Sequence, residues 1–354
     1  LFGLAGDVTQ EWNEGMRITD PVLVPDVSFY CDHIHAKEFE DGGCQSVIVG
    51  LYSITQNGKQ VLNPICRAQC QEVAKTSMVL QTYAWDDITL DPVAQANWVA
   101  DTIEIEGLPI KWVWADDEQW WLSWTAYYNW RGNPAKYPLS TVPKGLPQNI
   151  SMHMLAFTQT LRARFPASGV YTNNGFVASW AQPMNSWLPL YKQWVPEYAR
   201  EPNVITSMTW AQLQAGWMPN YEIALAAGQL PGQVCGHQFT GDVIKLPGAY
   251  DQYCNEQVLD VSVFSKAFVD GLRGGVPVPP TPAPTPPQPL YPAYTAIYPL
   301  NVRSGASQTS PSLGVMPAGT KVFIDTVTNN YSHFQPTQTF QQGGWLWSAY
   351  LKKV

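Results

Sequence analysis

The sequence predicts an α/β chain in which a β/α barrel is joined to a small all-β barrel, and three features carry that expectation. Up to about residue 272, short β-branched or aromatic runs alternate with helix-period segments, the pattern of parallel strands linked by helical crossovers. Between Pro277 and Pro289 eight of thirteen residues are proline. Such a run lacks donors and fixes φ, so it acts as a semi-rigid spacer of roughly 40 Å, at about 3.1 Å per residue. Residues 291–354 hold no helical period. The expected organisation is a large domain over 1–272, a linker over 273–290 and a small domain over 291–354.

Along the large domain, Ser46 to Leu51 reads as a strand through Val47, Ile48 and Val49, and Cys66 to Lys75 as a helix. Met78 to Ala84 is the next strand, Ala94 to Glu104 a helix, and Ile110 to Ala115 a strand rich in Trp and Val. Met152 to Phe165 is helical, Gly169 to Tyr171 a short strand, Asn174 to Trp180 a short helix and Trp194 to Tyr198 a strand. Over some 250 residues a closed barrel of the TIM type is the usual single-domain solution, with an open doubly wound sheet as the alternative. No Gly-x-Gly-x-x-Gly follows the early strands and no Walker-type lysine loop is present, so nothing supports a nucleotide pocket. In the small domain, Val302, Thr320 to Ile324 and Trp345 to Leu351 are strand candidates between Ser-Gly, Ala-Gly and Gly-Gly turns. Its core is expected around Val322, Ile324, Trp345 and Leu346.

Apolar residues make up 45% of the chain and charged residues only 14%, with a net charge of −8. Much of the surface is therefore neutral and polar, and the acidity without any long Lys/Arg cluster argues against nucleic acid as a partner. No stretch approaches 18 consecutive apolar residues, so no membrane-spanning helix is expected. Leu1 to Val8 are mostly apolar without a basic flank or clear cleavage signal. The composition calls for no cofactor and leaves self-association open.

Cys31, Cys44, Cys66, Cys70, Cys235 and Cys254 are even in number, with no Cys-x-x-Cys pair and no histidine at zinc-finger spacing. A disulfide framework is the expectation. Cys31 with Cys44 and Cys235 with Cys254 would close short loops, Cys66 and Cys70 stand at i,i+4, and 15 connectivities remain open.

The sharpest chemical signal is Lys111-Trp112-Val113-Trp114-Ala115-Asp116-Asp117-Glu118-Gln119-Trp120-Trp121. With a strand's period of two, Asp116 and Glu118 project to one face and Asp117 to the other. Acids crowded at the end of an apolar strand raise one another's pKa, which is what a general acid at neutral pH requires. Asp26 and Asp260 fall at the ends of the first and last strands, which are neighbours in a closed barrel, so both are expected at the mouth carrying Asp116 and Glu118. Cleavage of a glycosidic bond uses such a carboxylate cluster.

Sixteen tryptophans and seventeen tyrosines supply flat, amphipathic side chains suited to the faces and edges of sugar rings. Tyr83, Trp85, Trp114, Tyr171, Trp194 and Tyr198, near strand ends, are the candidates for substrate contact. The five histidines offer no ligand set at metal spacing, so no metal is expected, and no Gly-x-Ser-x-Gly elbow supports an esterase.

Read in order along about residues 20–268, these pieces resemble the glycoside hydrolase family 25 muramidases. The pieces are Asp26-Val27-Ser28, Tyr83-Ala84-Trp85, Asp116-Asp117-Glu118, Gly169-Val170-Tyr171-Thr172, Trp194-Val195-Pro196-Glu197-Tyr198, Gln238-Phe239-Thr240 and Asp260-Val261-Ser262. The resemblance implies an incomplete barrel and cleavage of peptidoglycan between N-acetylmuramic acid and N-acetylglucosamine. It implies Glu118 as general acid, tuned by Asp116, with Asp26 and Asp260 in the supporting cluster and Gln238 among the substrate contacts. It further implies net retention, with the substrate's own N-acetyl group as nucleophile. The chain departs from the family pattern at His237, at Ser262 and over Leu51-Tyr52-Ser53, and these departures motivate an alternative, a glycan-binding or structural surface protein that kept the barrel and lost turnover. Residues 295–352, through Leu300-Asn301-Val302-Arg303-Ser304-Gly305, Pro317-Ala318-Gly319-Thr320-Lys321-Val322 and Gly344-Trp345-Leu346-Trp347, resemble a bacterial SH3-type domain. That resemblance implies attachment to a cell wall and an extracellular or wall-associated location.

Overall fold

The computed structural model describes residues 13–56, 59–198, 205–215, 223–274, 293–334 and 343–353. The chain divides into two compact units, residues 1–281 and 282–354. The proline-rich segment and Leu1 to Val8 lie outside the described residues.

The larger unit is a closed ring of eight strands: β1 (Pro21–Val27), β2 (Ser46–Gly50), β3 (Val79–Trp85), β4 (Trp112–Asp116), β5 (Ser168–Tyr171), β6 (Gln193–Pro196), β7 (Val234–Gln238) and β8 (Glu256–Ser265). Each pairs with the next, and β8 closes the ring on β1. From β1 to β7 all neighbours run parallel. β8 is antiparallel to both β7 and β1. Its reversal follows from its connection: no helix intervenes, and Ile244–Tyr250 pairs back on β8 as an antiparallel neighbour, so the chain never makes the crossover that parallel pairing needs. The ring is thus closed, and what is incomplete is the β/α alternation around it.

Why these segments are strands is visible in what they bury. β2, β4, β5 and β6 are buried at every position, as strands covered on both faces must be. Alternate residues then go to two different cores. Val22, Val24, Ile48, Val79, Trp112, Trp114, Trp194 and Phe264 fill the ring. Leu23, Val47, Val49, Leu80, Val113, Ala115, Val261 and Val263 face the outer layer, packed with Cys70 and Val73 of α2 (Cys66–Val73), Val99 and Ile103 of α3 (Pro92–Ile105) and Phe157 and Leu161 of α5 (Pro147–Arg164). Helix starts are locally encoded: Asp91 caps α3 by accepting the Ala94 N–H at 2.7 Å ahead of Pro92 at the first position.

The interior is aromatic, and small residues make room for it. A Cβ on Gly169 would lie 2.6 Å from Trp114, and one on Gly236 would lie 2.3 Å from Phe264. Trp114 packs against Trp194 and Phe264, and helix α8 (Lys266–Arg273) brings Phe268 edge-on to Trp112 at the far end of the ring. Two of the buried indoles are satisfied within the ring, Trp114 Nε1 donating to Gln81 Oε1 at 2.8 Å and Trp194 Nε1 to Ser262 Oγ at 3.0 Å, whereas Trp112 Nε1 has no hydrogen-bond partner among the described residues. Trp114 and Trp194, expected to touch sugar, are wholly enclosed. They point inward but stand one inward position below the open end of their strands, so their rings are core.

The smaller unit is a seven-stranded antiparallel sheet: β9 (Ala293–Ala296), β10 (Leu300–Arg303), β11 (Ser312–Met316), β12 (Lys321–Thr328), β13 (Tyr331–Phe334), β14 (Gly344–Trp347) and β15 (Leu351–Lys353), in the spatial order β11-β10-β14-β13-β12-β9-β15. Its core holds Val302, Val322, Ile324, Phe334 and Leu346. Trp345, expected there, is half-buried and packs on His333.

No disulfide forms. All six cysteines are free, five of them buried and Cys254 exposed. Cys66 and Cys70 approach to 3.9 Å between sulfurs, a thiol contact within α2 and about twice the length of an S–S bond. Two outcomes are expected. Thiol titration of the native protein reports one reactive group, Cys254, and six after denaturation, with intact mass unchanged by reduction. Replacing the enclosed Phe264 by Ala lowers stability by about 3–5 kcal/mol in denaturant unfolding, the usual cost of emptying an aromatic core site.

Candidate active site

The alternation that builds the interior also builds the open end. Continuing the inward positions to the C-terminal ends of the parallel strands gives Asp26 on β1, Tyr83 on β3, Asp116 on β4, Tyr171 on β5 and Gln238 on β7. The antiparallel β8 contributes Asp260 at the same level, directly opposite Asp26. Five of these strands therefore end their inward face on a polar side chain, and β3 carries Tyr83 one inward position before its last residue, Trp85, over a largely apolar floor.

Gln238 ties the group together. Its amide nitrogen donates to Asp26 Oδ2 at 3.1 Å and to Asp260 Oδ2 at 3.3 Å. Its amide oxygen accepts from the Tyr171 hydroxyl at 2.7 Å and the Tyr198 hydroxyl at 3.3 Å. Every hydrogen-bonding position of the amide near the mouth is thus engaged by a candidate residue. The backbone N–H of Asp242 donates to the other oxygen of Asp260.

Glu118 lies just beyond β4, half-buried. The chain stays extended past Asp116, with Asp117 N–H donating to the Tyr171 carbonyl at 2.9 Å, so the two-residue period carries through. Asp117 accordingly faces the opposite way, accepting from Thr158 of α5 at 3.1 Å. Beside it Asp86 accepts from His153 of the same helix at 2.9 Å.

Protonation follows from this crowding. Burial, with Asp260 and Asp242 adding like charge, holds the Asp26 carboxyl well above the usual range against the opposing hydrogen bond from Gln238. Burial, then Glu118 and Asp117, do the same to Asp116, whose Oδ1 has no hydrogen-bond partner among the described residues. Asp260 is pushed up to about 7 by burial and Asp242. Glu118 is pushed up to about 7 by burial, opposed by a hydrogen bond from Asn173. Desolvation is thus the leading cause throughout, ahead of the mutual repulsion that the run of three acids suggests. Tyr83, Tyr171 and Tyr198 are raised by burial and then by nearby charges.

Asn173 is the site residue that reading the sequence missed. It caps α6 (Asn174–Trp180), with its Oδ1 accepting from Phe176 N–H at 2.6 Å, which leaves its amide nitrogen to donate to Glu118. The signal was present: an Asn in the turn between a short strand and a helix. Of the other expected residues, Tyr83 and Trp85 are half-buried, Tyr171 is buried beneath the mouth and Tyr198 is 53% exposed at its edge.

The family departures fall away from this ring. His237 faces the opposite side of β7 from Gln238 and bonds the Glu197 carbonyl at 2.8 Å. Burial lowers its pKa to about 4, so the ring stays neutral. Ser262 stands one inward position below Asp260 and receives the Trp194 indole. Leu51 is buried at the head of a hairpin, Tyr52–Gln56 with Lys59–Leu62. Among the described residues no group of three or more His, Cys, Asp or Glu could hold a metal ion, and no helix is long and apolar enough to cross a membrane.

Comparison with known proteins matches residues 299–352 to the bacterial SH3 domain family. No curated protein matches the chain. Among solved structures the chain is similar to the bacterial lysozyme from Streptomyces coelicolor, at 14% identity over 72% of this chain and 98% of that one, with a TM-score of 0.48. It is also similar to a family 25 glycosyl hydrolase from Bacillus anthracis, at 13% identity over 73% and 94% with a TM-score of 0.43. A third is a muramidase from Trichobolus zukalii, at 13% identity over 72% and 99% with a TM-score of 0.45.

The raised carboxyls make stability fall as pH rises. In the unfolded chain these acids ionise near pH 4, while in the fold they hold their protons to about 7 for Glu118 and Asp260. Between those values the folded state binds more protons, so its stability declines. The midpoint of thermal unfolding is expected to be higher at pH 5.5 than at pH 8. A midpoint that rises over this interval would contradict the assignment of buried, protonated carboxyls.

Proposed function

We propose that the large domain is a glycoside hydrolase that cuts the β-1,4 bond between N-acetylmuramic acid and N-acetylglucosamine in peptidoglycan. One observation carries the reading: Glu118 stands half-buried beside three further carboxyls in a mouth of six inward polar residues, where burial pushes its carboxyl up to about 7. A group poised there holds a proton at neutral pH and can still release it to a leaving oxygen, the compromise general acid catalysis needs.

In this mechanism Glu118 protonates the glycosidic oxygen as the bond breaks, and Asn173 receives the new carboxylate by hydrogen bond. Asp116, whose carboxyl is held well above the usual range by burial and then by Glu118 and Asp117, is thereby biased against adding a second negative charge next to Glu118 at that moment. Asp26 and Asp260 face positive charge developing on the sugar, and Gln238 stabilises whichever of them is ionised. The resemblance to family 25 suggests that the substrate's acetamido oxygen is the nucleophile, with net retention. One of these two carboxylates then orients the acetamido N–H, and no glycosylated carboxylate forms. Tyr171 and Tyr198 keep Gln238 in the orientation that presents its NH₂ to both acids.

The alternative, a glycan-binding or structural barrel without turnover, is motivated by His237, Ser262 and Leu51-Tyr52-Ser53 together with a neutral, aromatic-rich surface. His237 and Ser262 have structural partners outside the ring of polar ends, so these two departures do not favour it over the hydrolase reading. The small domain, as a bacterial SH3 domain, is proposed to hold the chain to a cell wall and thereby raise the local substrate concentration for a tethered hydrolase, in an extracellular or wall-associated setting.

Glu118→Gln is expected to reduce release of reducing ends from peptidoglycan by about 10²–10⁴-fold with unchanged circular dichroism, the range general acids contribute. Undiminished release in that variant removes Glu118 from the role. The pH–rate profile of the native chain should fall on its alkaline side near pH 7, where Glu118 loses its proton. A profile flat to pH 9 contradicts a general acid in this environment.

A further inference from the structure

The mouth does not end at its acids. Helix α4 (Trp124–Gly132) follows the acidic strand, carries Trp124, Tyr127, Tyr128 and Trp130, and buries none of its residues. Trp124, Tyr127 and Trp130 are half-buried against Trp120 and Trp121, and Tyr128 stands exposed. Two wholly buried polar side chains hold the helix's first indole and the neighbouring Trp85 in place. Asp87 accepts the Trp124 Nε1–H at 3.1 Å, and Gln119 accepts the Trp85 Nε1–H at 2.9 Å. Gln119 in turn donates to Asp87 at 3.3 Å and to the Trp121 carbonyl at 2.9 Å.

The tethered indoles run outward from the site. Trp85 is the register neighbour of Asp116, and its ring lies 6.1 Å from that of Trp124. Tyr128 stacks on Trp124 at 5.7 Å and 27°, with 45% of its surface open. Tyr30, 67% exposed and four residues past Asp26, is backed by Phe29 at 4.1 Å. It is close enough to Tyr128 to help raise that phenol, after burial. The helix carries no acid, and its one charge is Arg131. An uncharged, rigid row of amphipathic rings continuous with a glycan-cutting mouth suits the apolar faces of successive sugars.

We propose that Trp85, Trp124, Tyr128 and Tyr30 form a stacking track for the same β-1,4-linked amino-sugar strand that enters the mouth, so that the chain selects long glycans over short ones. The inference rests on the glycan reading of the site and adds residues and a length preference to it. Rigid rings lose little freedom on binding, so each stacked sugar contributes affinity without a matching ordering cost.

The test uses the full chain as Glu118→Gln, which binds without cutting, titrated with soluble β-1,4-linked N-acetylglucosamine dimer and hexamer and followed by calorimetry. The hexamer is expected to bind more tightly than the dimer. Adding Tyr128→Ala should lower the hexamer-to-dimer affinity ratio about tenfold, the loss of one good aromatic contact, and Tyr128→Phe should restore it. Tyr128 and Tyr30 are both exposed, so the fold tolerates substitution at either. A ratio untouched by Tyr128→Ala and by Tyr30→Ala overturns the track. So does sedimentation in which Tyr128→Ala converts a dimer to a monomer, since the surface is then an interface between copies. The two readings fail separately: peptidoglycan left uncut by the native chain sinks the hydrolase while an altered ratio upholds the track, and cutting with a flat ratio does the reverse.

Discussion

Closure of an eight-stranded ring is the constraint from which the rest follows. Once β8 pairs with both β1 and β7, every strand must turn alternate side chains into one enclosed space. Below, that space is filled by Trp112, Trp114, Trp194 and Phe264. At the open end the same positions become Asp26, Tyr83, Asp116, Tyr171, Gln238 and Asp260. The packed floor and the polar mouth are thus two levels of one alternation. Shifting any strand by one residue would exchange carboxyls for outer-layer residues such as Val27, Ala115 and Val261.

The floor sets the chemistry of the mouth. Carboxyls standing on an aromatic core lose hydration, and no lysine or arginine appears among the groups that shift them. The relief among the described residues is hydrogen bonding, from Gln238 to Asp26 and Asp260, from the Asp242 backbone N–H to Asp260 and from Asn173 to Glu118. Each of the two side-chain amides has its oxygen committed elsewhere, to tyrosine hydroxyls in one case and to a helix N-terminus in the other, which fixes the nitrogen toward the acid. Structural hydrogen bonds therefore decide which carboxyl is partly stabilised as an anion and which stays protonated.

Much of this could be read from residue order. Val47-Ile48-Val49, Val79-Leu80 and Trp112-Val113-Trp114 are apolar over a strand's length, and alternation alone separates Asp116 and Glu118 from Asp117. The convergence of Asp26 and Asp260 follows from first and last strands being neighbours in a ring. The fate of single aromatics did not follow, because one inward step separates Trp114, a core residue, from Asp116 at the mouth, and no local pattern says where a strand stops being covered. Asn173 escaped because a capping residue has only one visible role in sequence, its second being made by tertiary contact. The disulfide expectation finds no bonded pair among the described residues for a similar reason. Cysteine count says nothing of geometry, and here five thiols are simply small apolar groups in packed layers.

The same alternation explains how residues beside the mouth can vary while its polar ends are kept. His237 sits between Gly236 and Gln238, so its side chain belongs to the outer layer, where a carbonyl receives it and burial keeps it neutral. Ser262 is inward but below Asp260, where its hydroxyl serves an indole of the floor. Substitution at either place is a matter of packing around the ring. A change at positions 26, 116, 238 or 260 would instead alter the charge or the hydrogen bonds of the mouth itself. Alternation therefore sorts departures by consequence: outer and lower positions can vary with their packing partners, while the last inward residue of each strand cannot change without changing the site.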